Sequence, residues 1–99
     1  MFSHIVIFWT KPEVPSATEL LLEGAEKYLR PIPNVKTFHI GKMVSSERPV
    51  VDQSYQVALN LIFDSKQAQD DYQVHPLHLE FVEKVFKQVC ARAVIYDFE

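Results

Sequence analysis

Ninety-nine residues with a formal charge of −3 predict one globular domain, spanning residues 1–99, with a single modest core. The ten Lys and Arg are scattered, so no basic stripe exists to neutralise phosphates, and nucleic acid is not an expected partner. Cys90 is the only cysteine, which excludes an intrachain disulfide and suits a reducing compartment, the cytoplasm. The apolar run at residues 5–9 is too short to cross a bilayer and lacks the flanks of a secretory leader, so neither membrane nor export is expected.

Taken in chain order, Phe2 to Thr10 is rich in β-branched and aromatic residues and reads as a strand. Alternation puts Phe2, His4, Val6 and Phe8 on one face, and Ser3, Ile5, Ile7 and Trp9 on the other. Both faces are largely apolar, so something must cover each of them. Ser16-Ala17-Thr18-Glu19 has the form of a capping box and predicts a helix running to Leu29. Its expected buried side carries Ala17, Leu21, Gly24 or Ala25, and Tyr28, with Glu23–Lys27 and Glu26–Arg30 as pairs on the wet side. Gly24 is out of place by propensity, and close helix packing is the preferred explanation over space left for a ligand. A second strand is predicted at 35–43, a polar loop with the character of a lid at 44–52, and a third strand at 54–63.

The next segment is periodic at Ala68, Tyr72, Leu79, Val82 and Phe86, with His75 at the same spacing, yet Pro76 interrupts it. Proline lacks an N–H and turns the preceding residue away from helical angles. The segment therefore reads as two helical pieces, the first capped at Asp64-Ser65 and the second starting at Pro76 with His75 as its N-cap. His78 falls in the first turn of the second piece. Cys90 to Phe98 is the last strand, with Val94, Tyr96 and Phe98 alternating against Ala93 and Ile95. The order β-α-β-β-α-β is the ferredoxin-like split unit, an α+β fold with a four-stranded antiparallel sheet and helices on one face. The uncovered apolar face then calls for a partner, and a second copy of the chain is the simplest one.

Tyr72-x-x-His75-Pro76-x-His78, about seventy residues after Phe2-Ser3-His4-Ile5-Val6-Ile7-Phe8, resembles the stress-responsive A/B barrel (Dabb) family. Asp52-x-x-Tyr55-x-Val57-x-Leu59 running into Phe63-x-Ser65 is similar to the same family, so the resemblance covers essentially the whole chain. It implies a ferredoxin-like fold that dimerises into an α/β barrel. Members range from plant stress proteins to a polyketide cyclase, and the fold alone does not select among them. In the cyclase members the matching tyrosine and the second histidine of HPxH act in ring closure, which implies Tyr72 and His78 here, with the strand histidine matching His4. This chain departs from that pattern on its third strand, where Tyr55-Gln56-Val57 offers no histidine.

The residues themselves support a general-base site. His78 at a helix start should stay neutral and able to take a proton, because the positive dipole end and desolvation both disfavour imidazolium. Tyr72 would hydrogen-bond a substrate oxygen, His4 would supply a buried polar group, and His75 would cap its helix while counting among the ligand-binding residues. The expected walls of a small apolar pocket are Val6, Phe8, Leu21, Tyr28, Val57 and Leu59, suited to a small apolar or aromatic organic ligand. No cofactor is expected. Metal or haem ligation is the weaker reading, since Pro76 breaks the three-residue histidine spacing and no cysteine or carboxylate cluster completes a shell. A structural or stress-protective homo-oligomer without turnover is the remaining alternative, and His39 carries no assigned role.

Overall fold

In the computed structural model, which describes residues 1–99, strand β1 (Phe2–Thr10) lies at the centre of the sheet and alternates between two environments. Phe2, His4, Val6 and Phe8 are buried, while the residues between them are half-buried. Strands β2 (Thr37–Lys42), β3 (Val57–Phe63) and β4 (Cys90–Phe98) complete an antiparallel sheet in the order β2-β3-β1-β4. The second and third strands are shorter than the sequence predicts. Pairing nevertheless runs past their ends, because Met43 N–H donates to the Gln56 carbonyl (3.0 Å) and Gln56 N–H to that of Phe8 (3.1 Å).

Helix α1 (Ala17–Gly24) passes directly into a π-helical stretch (Ala25–Leu29). The expected capping box does not form. Ser16 sits in the left-handed region (φ 56°), whereas a side-chain cap needs extended backbone at that position, and Glu19 reaches instead towards Lys42 (3.7 Å). Glu26 and Arg30 do pair, but Glu23 and Lys27 do not; the Lys27 ammonium lies over the Tyr28 ring at 5.1 Å.

The broken helix has the expected parts. In α2 (Lys66–Gln73), Ser65 Oγ accepts from the Ala68 N–H (3.2 Å). In α3 (Pro76–Phe81), Pro76 holds the first position, and the His75 ring nitrogen Nδ1 accepts from the Leu77 N–H (3.1 Å). A π-helical stretch (Val82–Phe86) and a final turn, α4 (Lys87–Val89), lead into β4. The buried face differs from the sequence expectation. Phe81, Val85 and Val89 are buried and Leu79 is 56% exposed, because the proline break and the π turn reset the phase to steps of four. Gly24 is explained by packing: a Cβ there would lie 2.6 Å from both Val85 methyl carbons.

All helices cover one face of the sheet, and the apolar core lies between. The other face presents Ile5, Ile7 and Trp9 from β1 flanked by Ile62 of β3 and Tyr96 and Phe98 of β4, the last two more than half exposed. No helix is long and apolar enough to cross a membrane.

Candidate functional site

The inward face of β1 carries one buried polar residue, His4, at 3% exposure. Its cross-strand neighbour on β4 is Asp97, whose side chain therefore points to the same side of the sheet. His4 Nδ1–H donates to Asp97 Oδ1 at 2.5 Å. Above the strand, the last turn of α2 lowers Tyr72 onto His4, edge to face at 6.1 Å between ring centres. The first turn of α3 brings His78 against the far side of Tyr72 at 5.0 Å, and Phe63 closes the tyrosine's flank at 5.4 Å. The kink at His75-Pro76 is what places Tyr72 and His78 in contact, since it joins one helix end to the next helix start.

These three rings border a cavity of about 180 Å³. Its remaining walls are apolar apart from Gln73: Val6 and Phe8 of β1, Leu59 of β3, Ala93 and Ile95 of β4, Leu29, and Phe81, Val82 and Phe86 of the second helical arm. No lysine or arginine lines it, so it offers a carboxylate or phosphate no counter-charge.

Burial governs the electrostatics. It holds the Tyr72 phenol above its ordinary value, so the hydroxyl stays protonated and able to donate. The His78 imidazole is pushed down from 6.5 to about 4, first by desolvation and then by repulsion from His4, and it is neutral at physiological pH. His78 Nδ1 is wholly enclosed and has no hydrogen-bond partner within the chain, and Nε2 meets only the Gln73 amide at 3.4 Å. Glu80, the carboxylate nearest His78 in sequence, turns away to Lys84 (3.4 Å). The same burial raises the Cys90 thiol to about 11, which leaves it protonated and unreactive.

The structure brings His4, Tyr72, His78, Val6, Phe8 and Leu59 to the cavity. It places Leu21, Tyr28, Val57 and His75 elsewhere. Leu21 and Val57 are 0% exposed and packed solid in the core; alternation identifies the face of the sheet a residue occupies, but not which half of that face a helix fills. Tyr28 is half-buried under Lys27, and the His75 ring is engaged in capping. His39 is exposed on β2. The loop at 44–52 contributes nothing to the cavity. Asp97 is the polar residue the sequence does not single out. It shares a face with Ala93 and Ile95 by alternation, but only the register against β1 reveals that it meets His4. No three His, Cys, Asp or Glu side chains gather as a metal site would require.

Comparison with known proteins gives the chain its family. A stress-response A/B barrel domain-containing protein, HS1 of Arabidopsis thaliana, is 31% identical over 97 residues, covering 97% of this chain and 86% of that one. A Dabb family protein of Mesorhizobium loti with a ferredoxin-like fold superposes with a TM-score of 0.80 at 26% identity, over 99% of this chain and 94% of that one. A dimeric protein of unknown function from Bacteroides fragilis shares the ferredoxin-like fold at 20% identity (TM-score 0.76; 99% and 94% covered). The model of the stress responsive A/B barrel domain matches residues 2–99, and the chain belongs to that family.

Proposed function

We propose that this protein is a homodimeric A/B barrel whose cavity binds a small uncharged carbonyl compound and moves a proton at the carbon next to the carbonyl. The observation that carries this reading is the convergence of His4, Tyr72 and His78 on one cavity whose other walls are apolar apart from Gln73. None of His4 Nε2, the Tyr72 hydroxyl and His78 Nδ1 is hydrogen-bonded within the chain. Unpaired polar atoms in a buried site are costly unless a ligand meets them. Size supports a single ring, because a cavity of about 150 Å³ holds benzene. The Tyr72 hydroxyl donates to the carbonyl oxygen, and a neutral imidazole takes the α-proton as negative charge passes to that oxygen. The dimer covers the apolar outer face, and the cytoplasm suits the one buried thiol.

The test uses acetophenone, whose methyl protons exchange by this chemistry. Incubated with the protein in deuterated water, it should lose its methyl proton signal faster than in buffer. Tyr72→Phe should slow that exchange by about 10²-fold, the scale of one lost oxyanion donor. If the wild-type protein neither binds acetophenone nor accelerates exchange, the proton-transfer reading is wrong and a non-catalytic, stress-protective homo-oligomer takes its place.

A further inference from the structure

The structure assigns Asp97 as the positioning residue of the site and His4 as its base. This rests on the proton-transfer reading above and deepens it, because the helix-start position of His78 had made that residue the expected base. The geometry divides the two histidines. An ionised carboxylate accepts and cannot donate, so the bond from His4 to Asp97 requires the hydrogen on Nδ1. In the neutral ring His4 Nε2 then carries the free lone pair, on a ring that lines the cavity. Asp97 also stands ready to stabilise the imidazolium that forms when Nε2 takes a proton, the same division of labour as between the carboxylate and histidine of a hydrolase triad.

His78 has no such support. Its environment keeps it neutral, but a ring held that far below neutral pH is a weak proton acceptor, and no anion faces it. It serves instead as a neutral hydrogen-bonding wall. The groups facing His4 are Asp97 from β4, Tyr72 from α2 and His78 from α3, while its β3 neighbour, Leu61, carries no charge. In the step assigned here, the α-C–H bond of the ligand breaks and its proton bonds to His4 Nε2. The electron pair moves through the carbonyl to oxygen, which accepts the Tyr72 hydroxyl hydrogen bond. Return of a deuteron from the exchanged ring completes the cycle with no other reactant.

Two measurements test this, and the first needs no activity. Proton–nitrogen correlation spectra of the histidine rings distinguish a protonated from an unprotonated ring nitrogen. Wild-type His4 should carry its hydrogen on Nδ1, and Asp97→Ala, at a half-exposed side chain whose folding a thermal melt verifies, should yield a mixture of both forms. A wild-type ring protonated on Nε2, or one unmoved by Asp97→Ala, overturns the assignment. The second measurement is acetophenone exchange. Asp97→Asn and His4→Gln should each lose about 10²-fold or more, with His78→Gln losing distinctly less, and the wild-type pH profile should shift in Asp97→Asn. A larger loss in His78→Gln than in either of the others overturns the choice of base. Absence of exchange in the wild type would count against the proton-transfer reading alone, since the ring spectra still decide the role of Asp97.

Discussion

At the scale of single residues, two histidines close together answer to different neighbours. His78 is neutral because burial strips its solvent, with the neighbouring His4 ring acting in the same direction whenever it is protonated. Its folded value, about 4, lies below its ordinary 6.5, so the unfolded chain binds the proton more readily than the folded one. Stability should therefore be full above 6.5 and decline as pH falls towards 4. Comparing urea midpoints at about pH 7 and about pH 5, His78→Gln should lose less on acidification than the wild type. An equal loss in both proteins would mean that His78 is not the group responsible. The neutrality of His78 was legible in sequence, because the proline break places it at a helix start beside apolar residues. The Asp97–His4 pair was not. Each residue reads plausibly on its own strand, and the register that joins them is a tertiary fact.

At the scale of elements, local signals succeeded where backbone angles allowed them to act. Ser65 caps its helix from extended backbone (φ −153°), while Ser16, followed by an equally good pattern, enters its helix left-handed and caps nothing. The second arm shows the same limit. Periodicity found the helix and the break, but the new phase after Pro76 put Phe81 on the buried side and left Leu79 exposed, and the π turn kept Val85 and Val89 in line with Phe81. Gly24 records how closely the two helical arms approach. Alanine there would push a methyl group into Val85, a β-branched side chain with little freedom to turn aside. Gly24→Ala should destabilise the fold by about 1–3 kcal/mol in urea unfolding. Combining it with Val85→Ala should recover part of that loss, and a strictly additive double mutant would show that the two positions do not compete for the same space.

At the scale of the whole molecule, the protein is a slab of 35 × 31 × 17 Å, a sheet and one layer of helices. One side of the sheet holds the core and the cavity. The other holds Ile5, Ile7 and Trp9, half-buried, with the Arg92 guanidinium over the Trp9 ring at 4.1 Å. A charge placed in the middle of that face should prevent self-association while sparing the core. Sedimentation should give a dimer for the wild type and a monomer for Ile7→Glu, with an unchanged far-ultraviolet spectrum. A wild-type monomer at micromolar concentration would rule out the proposed homodimer. The apolar outer face was legible in sequence, since β1 is apolar on both faces. The cavity walls were less so, because they depend on where two helices part.

Strand β1 thus writes two messages in one line of text, His4, Val6 and Phe8 for the cavity and Ile5, Ile7 and Trp9 for the surface opposite. The alternation has a period of two, so inserting or deleting a single residue would exchange the messages. His4 would be cast out of the site and an isoleucine driven in against Tyr72. Over evolutionary time such a strand is free to trade one hydrophobe for another at any position, yet its reading frame is fixed. Loss of the cavity and loss of the outer surface would arrive together, in one step.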